Sequence, residues 1–387
     1  MDKRTVRAYV SHRGDFAGMA GPVPVAEPWW SETRSVTAAL DELTRARTVV
    51  VRIIDAPKGR SMHGGEVTYH VEALTWPHNL DTTPRPEWDD VVRPHPLRTP
   101  WATVAGVHDL LAWATDGVEL TEPPIQVKSW NLSCVFHLHT TTGQLWAKAT
   151  PAFGNSEAAI IESVAGHDPD LVPRIRKADV DRHRTLLEHL PGEDCFTVST
   201  EIACEVVRRW VAVQAKITDP ALPRPDPLRN APDELLEHLP RLIEEVDAAG
   251  LPTTLVHGDF HPGNWRSDGV HHAILDWADS YAGNPASDIL RLTGWLPEAQ
   301  REPVLAAWAE AWRTHRPGCE PLRALAGMRV IGHVVAAGTY QRFLDNIEPA
   351  ERGYHDGDPA QQLRLALENL GWYVQKAGTE RADPGRG

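Results

Sequence analysis

The chain has 387 residues, 39 Lys+Arg against 53 Asp+Glu for a formal net charge of −14, and a 42% hydrophobic fraction with 15 Trp, which excludes wholesale disorder and provides core for two or three domains at roughly 150 residues each. The acidic balance argues against nucleic acid as the main partner, because a phosphate backbone requires a basic surface. No apolar run approaches the ~18 residues of a membrane-spanning helix, the first residues offer no hydrophobic export segment, and Cys134, Cys195, Cys204 and Cys319 lack paired spacing, so the expectation is a cytoplasmic protein with no membrane partner.

The first stretch, to about residue 98, reads as a small α/β module. Val36 to Leu43 has helix-forming composition, residues 49–54 (Val-Val-Val-Arg-Ile-Ile) resemble a buried strand, and residues 66–72 alternate like a second. Turn chemistry lies between them at 55–59 and at Gly64-Gly65. Pro77 to Pro96 is rich in Pro, Asp and Arg without periodicity and reads as a linker. Trp101 to Thr115 has helical spacing, and 125–150 reads as two antiparallel strands turning at 141–143. The second of these carries a single Lys, Lys148, in an apolar run, and a short helix with Glu157 and Glu162 follows over 156–165. Residues 185–190 form another buried strand, ending at Pro191-Gly192. Helices are expected near 199–216, 232–249, 298–314, 321–345 and 358–376.

The chemistry concentrates in residues 255–265, Leu-Val-His-Gly-Asp-Phe-His-Pro-Gly-Asn-Trp, followed by Ile274-Leu275-Asp276-Trp277. An apolar strand delivers His257-Gly258-Asp259, a Pro-Gly turn follows, and a second apolar strand delivers Asp276. Asp259, Asn264 and Asp276 are thereby expected at the ends of adjacent short strands, with three oxygen-bearing side chains around one small volume. Such a set suits Mg²⁺, which takes few protein ligands and leaves the rest to water and phosphate. Phosphoryl transfer needs these parts: a carboxylate to orient the attacking hydroxyl, here Asp259, and an amide and a carboxylate for the metal, here Asn264 and Asp276.

Protein kinases order the same roles as His-Arg-Asp, an Asn five residues on, then a metal-binding Asp. With Gly258 in place of the Arg and Trp277 after Asp276, the segment resembles the aminoglycoside phosphotransferase and choline kinase family, and residues 276–288 are similar to that family's D-W-x-D/E-x-x-x-G-x-P-x-x-D stretch, whose last Asp, here Asp288, buttresses the catalytic loop. The resemblance covers roughly 99–375. It implies ATP and Mg²⁺ as cofactors, Lys148 on the α/β-phosphates, Glu157 holding that Lys, Ser133 in a turn over the phosphates, and a hinge at 187–190 where the Glu188 carbonyl and Leu190 amide read adenine. The implied fold is α+β and two-lobed, kinase-like: the accessory module and linker over 1–98, a small antiparallel-sheet lobe over 99–190, and a mainly helical lobe over 191–387.

The implied activity is transfer of the γ-phosphoryl group of ATP to a hydroxyl of a small molecule. The acidic balance, with Glu298, Glu302, Glu310 and Asp345 in the helical lobe, favours a cationic acceptor such as an aminoglycoside or amino sugar. Trp295, Trp308, Trp312, Tyr340 and Trp372 are the aromatic candidates for its recognition, each competing with a plain core role. Two other readings stand beside this one. His257, His261, His271 and His272 with the two Asp could form a metal-dependent hydrolase site, although no zinc-ligand spacing is present. A catalytically inactive kinase-like binding protein is the other.

Overall fold

The computed structural model describes residues 3–57, 62–229 and 231–382, so the turn expected over 55–59 lies partly outside the described residues. Two compact units result: Met1–Ala158 with Ile175–His189 and Phe343–Asp356, and Ala159–Arg174 with Leu190–Arg342 and Gly357–Gly387.

The first unit holds two sheets. In one, β1 (Arg4–His12) and β2 (Asp15–Val25) form a hairpin, α1 (Arg34–Thr44) crosses over, and β3 (Thr48–Asp55) and β4 (Gly65–Ala73) complete the order β2-β1-β4-β3. β1 lies parallel to β4, and its inward positions Val6, Ala8 and Val10 are fully buried with Val36 and Leu40 of α1, as period-2 and i,i+4 spacing require. Sequence reading missed β1 and β2: Pro22, Pro24 and two glycines give β2 a loop-like composition, and its pairing keeps register shifts. The span read as a linker contains a short helix, α2 (Trp88–Val92).

The other sheet is wholly antiparallel. It takes β5 (Ile125–Ser129), β6 (Cys134–Thr140) and β7 (Gly143–Ala149), and, after the helix α4 (Glu157–Ala165), β8 (Ile175–Asp179) and β9 (Arg184–Glu188), in the order β5-β6-β7-β9-β8. Cys134, Phe136, Ala147 and Leu186 pack on Val107, Leu110 and Ala114 of α3 (Val104–Thr115). The helix expected from Trp101 starts later because Thr103 is extended and caps α3, its Oγ1 accepting the Gly106 N–H at 3.0 Å.

Residues 343–356 return to this unit. Tyr354 joins the core around Trp30, and Arg98 forks onto Glu348 at 2.8 and 2.9 Å, both side chains buried with Arg52 beside them. Glu351 is buried in the same cluster, where burial and the neighbouring Glu348 push its carboxyl up to about 8 against the pull of Arg52 and Arg98.

The second unit is mainly helical. Its helices are α5 (Thr200–Gln214), α6 (Asp233–Leu236), α7 (Leu239–Asp247), α8 (Ala286–Trp295), α9 (Glu298–His315), α10 (Pro321–Asp345) and α11 (Asp358–Ala382). The single helix expected over 232–249 is two, because Pro240 has no N–H to continue the ladder and sits in the first turn of α7. β10 (Glu193–Asp194), β12 (Trp265–Ser267) and β13 (His272–Ile274) make one small sheet, and β11 (Thr254–Val256) pairs with β14 (Tyr281–Gly283) in another. No helix among the described residues is long and apolar enough to cross a membrane.

The Glu351 cluster gives a test of sign. A carboxyl whose folded pKa lies above its ordinary 4.5 makes its full contribution below about pH 4.5 and loses it as the pH rises to about 8. Glu351→Gln is expected to remove on the order of 4 kcal/mol of pH dependence at most, so the variant's Tm advantage over wild type grows between pH 5 and 8. Parallel Tm–pH curves for the two proteins exclude this.

Candidate active site

The motif segment forms a chain of short elements in the second unit. β11 ends at Val256, His257 to His261 form a loop, Pro262–Asn264 make one 3₁₀ turn, and the hairpin β12–β13 leads to Asp276. The strands before His257 and before Asp276 are not neighbours as expected. β11 pairs with β14, beyond Asp276, while β13 pairs with β12, a ladder that the Leu275 N–H extends by donating to the Asn264 carbonyl at 2.7 Å; the end of β11 meets this hairpin through the His257 ring and the Leu275 carbonyl. The hairpin's tight turn at 268–271 makes β12 and β13 each other's partner and leaves β11 to the later strand.

Asp288, in the first turn of α8, holds the loop. Its buried carboxylate accepts N–H groups from His257 (3.0 Å) and Gly258 (3.2 Å), and from the Trp210 and Gln214 side chains of α5 (2.9 and 3.1 Å). Burial pushes this carboxyl up to about 6 against those four donors. His257 is also buried and pushed down to about 4 by desolvation, so it is neutral: Nε2–H donates to the Leu275 carbonyl (2.8 Å) and Nδ1 accepts the Asp259 N–H (3.2 Å). Gly258 stands at φ +86°, and a Cβ there would lie 2.2 Å from the Asp279 carbonyl oxygen, which explains why no larger residue occupies this position. Asp276 itself adopts φ +64°, a left-handed conformation that a non-glycine keeps only where its surroundings impose it.

Asp259 is held on both oxygens. Arg291, one turn after Asp288 on α8, donates Nε–H and Nη2–H to Oδ1 at 3.0 and 2.7 Å. Asn264 Nδ2 donates to Oδ2 at 3.1 Å and to the Asp259 carbonyl at 2.9 Å, and His261 Nε2 lies 3.3 Å from Oδ2. Burial would raise the Asp259 carboxyl, but the His261 hydrogen bond and the Arg291 guanidinium outweigh it and hold the group well below the ordinary carboxylate range. Sequence reasoning missed Arg291. The available signal was its place three residues after Asp288, on the helix whose first turn carries the buttress.

The Asn264 amide, oriented through its nitrogen, keeps its oxygen out of these contacts, and Asp276 follows the residue bonded to the Asn264 backbone. An amide oxygen and a carboxylate are hard donors that suit Mg²⁺, which completes its shell with phosphate and water. No group of three or more His, Cys, Asp or Glu side chains able to hold a metal exists among the described residues, so the three-ligand site a zinc hydrolase needs is not found there.

The other expected residues lie as follows. In the first unit, Lys148 Nζ meets Glu157 Oε1 at 2.9 Å with both side chains largely buried, whereas Glu162 is exposed. Ser133 is buried in the β5–β6 turn, its Oγ accepting the Trp130 Nε1–H at 2.9 Å. Glu188 ends β9, paired with Leu145 and exposed; the first unit's segment ends one residue later, at His189, and Leu190 opens the second unit's longest segment. Glu298, Glu302 and Glu310 are exposed on α9, and Asp345 is exposed and belongs to the first unit. Trp308 and Trp312 are core residues, while Trp295 and Trp372 are half exposed.

Comparison with known proteins starts from this geometry. Residues 147–325 match the phosphotransferase enzyme family APH, a span containing Lys148, Glu157 and the whole 257–288 segment. This segment belongs to that family. The matched segment is similar to a phosphotransferase domain and carries the residues just named. Its fold is that of choline kinase LicA from Streptococcus pneumoniae, with a TM-score of 0.54 at 12% identity over 69% of this chain and 99% of that one. A choline/ethanolamine kinase family protein from Mesorhizobium loti aligns at 18% identity over 70% and 98% of the two chains with a TM-score of 0.49. Macrolide 2'-phosphotransferase MphH from Brachybacterium faecium aligns at 22% identity over 65% and 97%, TM-score 0.42. A sequence search of curated proteins finds no match.

The buttress and the glycine can be tested together. Asp288→Ala leaves four buried donors without their acceptor and is expected to lower stability by roughly 3 kcal/mol or more. Gly258→Ala sets a Cβ against a carbonyl and is expected to abolish turnover in protein that still folds. Thermal denaturation and ADP release read the two effects, and a fully active Gly258→Ala enzyme is incompatible with the close approach.

Proposed function

We propose that the chain is a cytoplasmic kinase that transfers the γ-phosphoryl group of ATP, with Mg²⁺, to a hydroxyl of a small molecule, amino sugars and aminoglycosides being the acceptor class its acidic balance favours. One observation carries this reading: the Asp259 carboxylate is fixed by Arg291, Asn264 and His261 in a loop whose Asn264 is bonded to the backbone just before Asp276. That arrangement supplies an orienting carboxylate and two metal donors from one short stretch of chain.

In this mechanism the acceptor hydroxyl donates its proton to Asp259 in a hydrogen bond and directs a lone pair at phosphorus. A carboxylate held below its ordinary range is a weak base, which suits a loose transition state in which the hydroxyl keeps its proton until late. The new O–P bond forms as the bond from phosphorus to the bridging oxygen breaks. The electron pair leaves on ADP, and the proton passes to Asp259 and on to solvent. Asn264 and Asp276 would hold Mg²⁺, which supplies charge neutralisation to the phosphates. Lys148, kept in place by Glu157, neutralises the α/β-phosphate oxygens, the Ser133 turn covers them, and the Glu188 carbonyl and Leu190 N–H read adenine. Catalysis then consists of positioning and electrostatics.

Asp259→Asn is expected to lower kcat by about 10³ or more while ATP affinity stays within about threefold, because orientation matters chiefly in the transition state. Asp276→Ala is expected to abolish turnover and raise the Mg²⁺ requirement, and Asn264→Ala to do less, since an amide brings no charge. A Mg²⁺ titration in which Asn264→Ala is the more damaging change reverses the ligand assignment, and undiminished turnover by Asp259→Asn removes the base.

A further inference from the structure

The surroundings of Asp259 bear on the shape of the acceptor. A carboxylate has about four lone-pair positions, and here three carry hydrogen bonds, two from Arg291 on Oδ1 and one from Asn264 on Oδ2, while His261 Nε2 faces Oδ2 at 3.3 Å. An arriving hydroxyl can donate to Asp259 only at the position His261 faces or by displacing a bonded donor. Arg291 is charged and binds through two N–H groups, and Asn264 is anchored a second time on the Asp259 carbonyl. His261 is the longest contact and has no second hold on Asp259. Its Nδ1 accepts the Gly263 N–H at 3.1 Å, which places the proton on Nε2, facing Oδ2 at 3.3 Å.

His261 also forms a three-ring cluster with two half-exposed aromatic rings. Its ring stacks on Trp295 (centroids 5.0 Å apart, 26° between planes) and on Phe196 (6.1 Å, 28°), and these two rings lie 5.8 Å from each other. Phe196 and Trp295 remain 50% and 49% exposed, large apolar surfaces beside the proposed base. Phe196 presses on the catalytic loop itself, since a Cβ on Gly263 would meet its ring at 2.5 Å. The Arg291 guanidinium already lies over Trp295 at 5.6 Å. An ammonium group seeking this ring would compete with it, whereas the C–H face of a cyclic alcohol would extend the stack.

Resting on the kinase reading above, we infer that His261 and Asp259 together grip the reacting hydroxyl, which enters between Nε2 and Oδ2, and that Phe196 and Trp295 form a platform for the ring that carries it. The hydroxyl oxygen accepts from Nε2–H and donates to Oδ2, leaving its remaining lone pair for phosphorus. The substrate class is then a cyclic alcohol with an apolar face at the reacting edge, with any ammonium groups elsewhere on the molecule.

The test is ADP release with MgATP and two sets of probes: methyl pyranosides, inositol and aminocyclitols on one side, choline and ethanolamine on the other. The expected result is turnover confined to cyclic alcohols. With the best cyclic probe, Trp295→Ala and Phe196→Ala are expected to raise acceptor KM about tenfold with kcat nearly kept, and His261→Phe to lower kcat about thirtyfold. His261→Gln, which retains an N–H donor, is expected to recover at least about a third of that loss on a logarithmic scale. A thermal shift with MgADP certifies that each variant is folded. Turnover of the acyclic amino alcohols, an unchanged acceptor KM in both aromatic variants, or full kcat in His261→Phe overturns the inference and leaves the kinase reading standing. Nucleotide binding with no cyclic alcohol turned over also overturns it. Absence of both a MgADP shift and phosphate transfer in wild type overturns the kinase reading and this inference with it.

Discussion

The second unit depends on one buried carboxylate. Asp288 ties the backbone of His257 and Gly258 to α5 and α8 through four accepted hydrogen bonds. Those bonds satisfy donors that burial would otherwise leave unpaired, and they fix the direction in which the chain leaves β11. Left-handed conformations at Gly258 and Asp276 persist because the loop between them is held at its start by Asp288 and in its middle by the contact of Asn264 with Leu275. Asp259 lies between these fixed points, its carboxylate held in place by Arg291 and Asn264.

Much of this site was legible in the sequence because its chemistry is local. Asp259 and Asn264 are five residues apart and meet in the structure, because the 3₁₀ turn between them folds the chain back on itself. Lys148 and Glu157 were likewise legible, one as a lone cation in an apolar strand and the other at the start of the next helix; the two meet in the structure. What was hidden is not local. Arg291 reaches Asp259 across 32 residues, and whether β11 pairs with β13 or β14 follows from the hairpin closing first. β2 was hidden for another reason: a strand rich in Pro and Gly is sustained by its partner rather than by its own propensity.

Net charge by itself does not locate the carboxylates that face the site. Glu298, Glu302 and Glu310 lie exposed along α9, where they serve hydration at least as well as steering. The contacts closest to Asp259 are instead a guanidinium, an amide and an imidazole, with aromatic rings behind them. Asp276, Asp279 and Asp288 also lie around this loop, so its neighbourhood is rich in carboxylates beside the Arg291 guanidinium.

The return of residues 343–356 to the first unit bears on how the chain is made. Trp30 and Trp130 pack on Tyr354, and Arg98 forks onto Glu348, so this unit's core and ionic cluster stay incomplete until residues far toward the C-terminus are synthesised. At ordinary ribosomal rates the delay after residue 190 is on the order of ten seconds. During that interval the nascent chain carries two unfilled aromatic faces and two arginines without their acidic partners. Until residue 356 has been added, the core of the first unit lacks its closing segment.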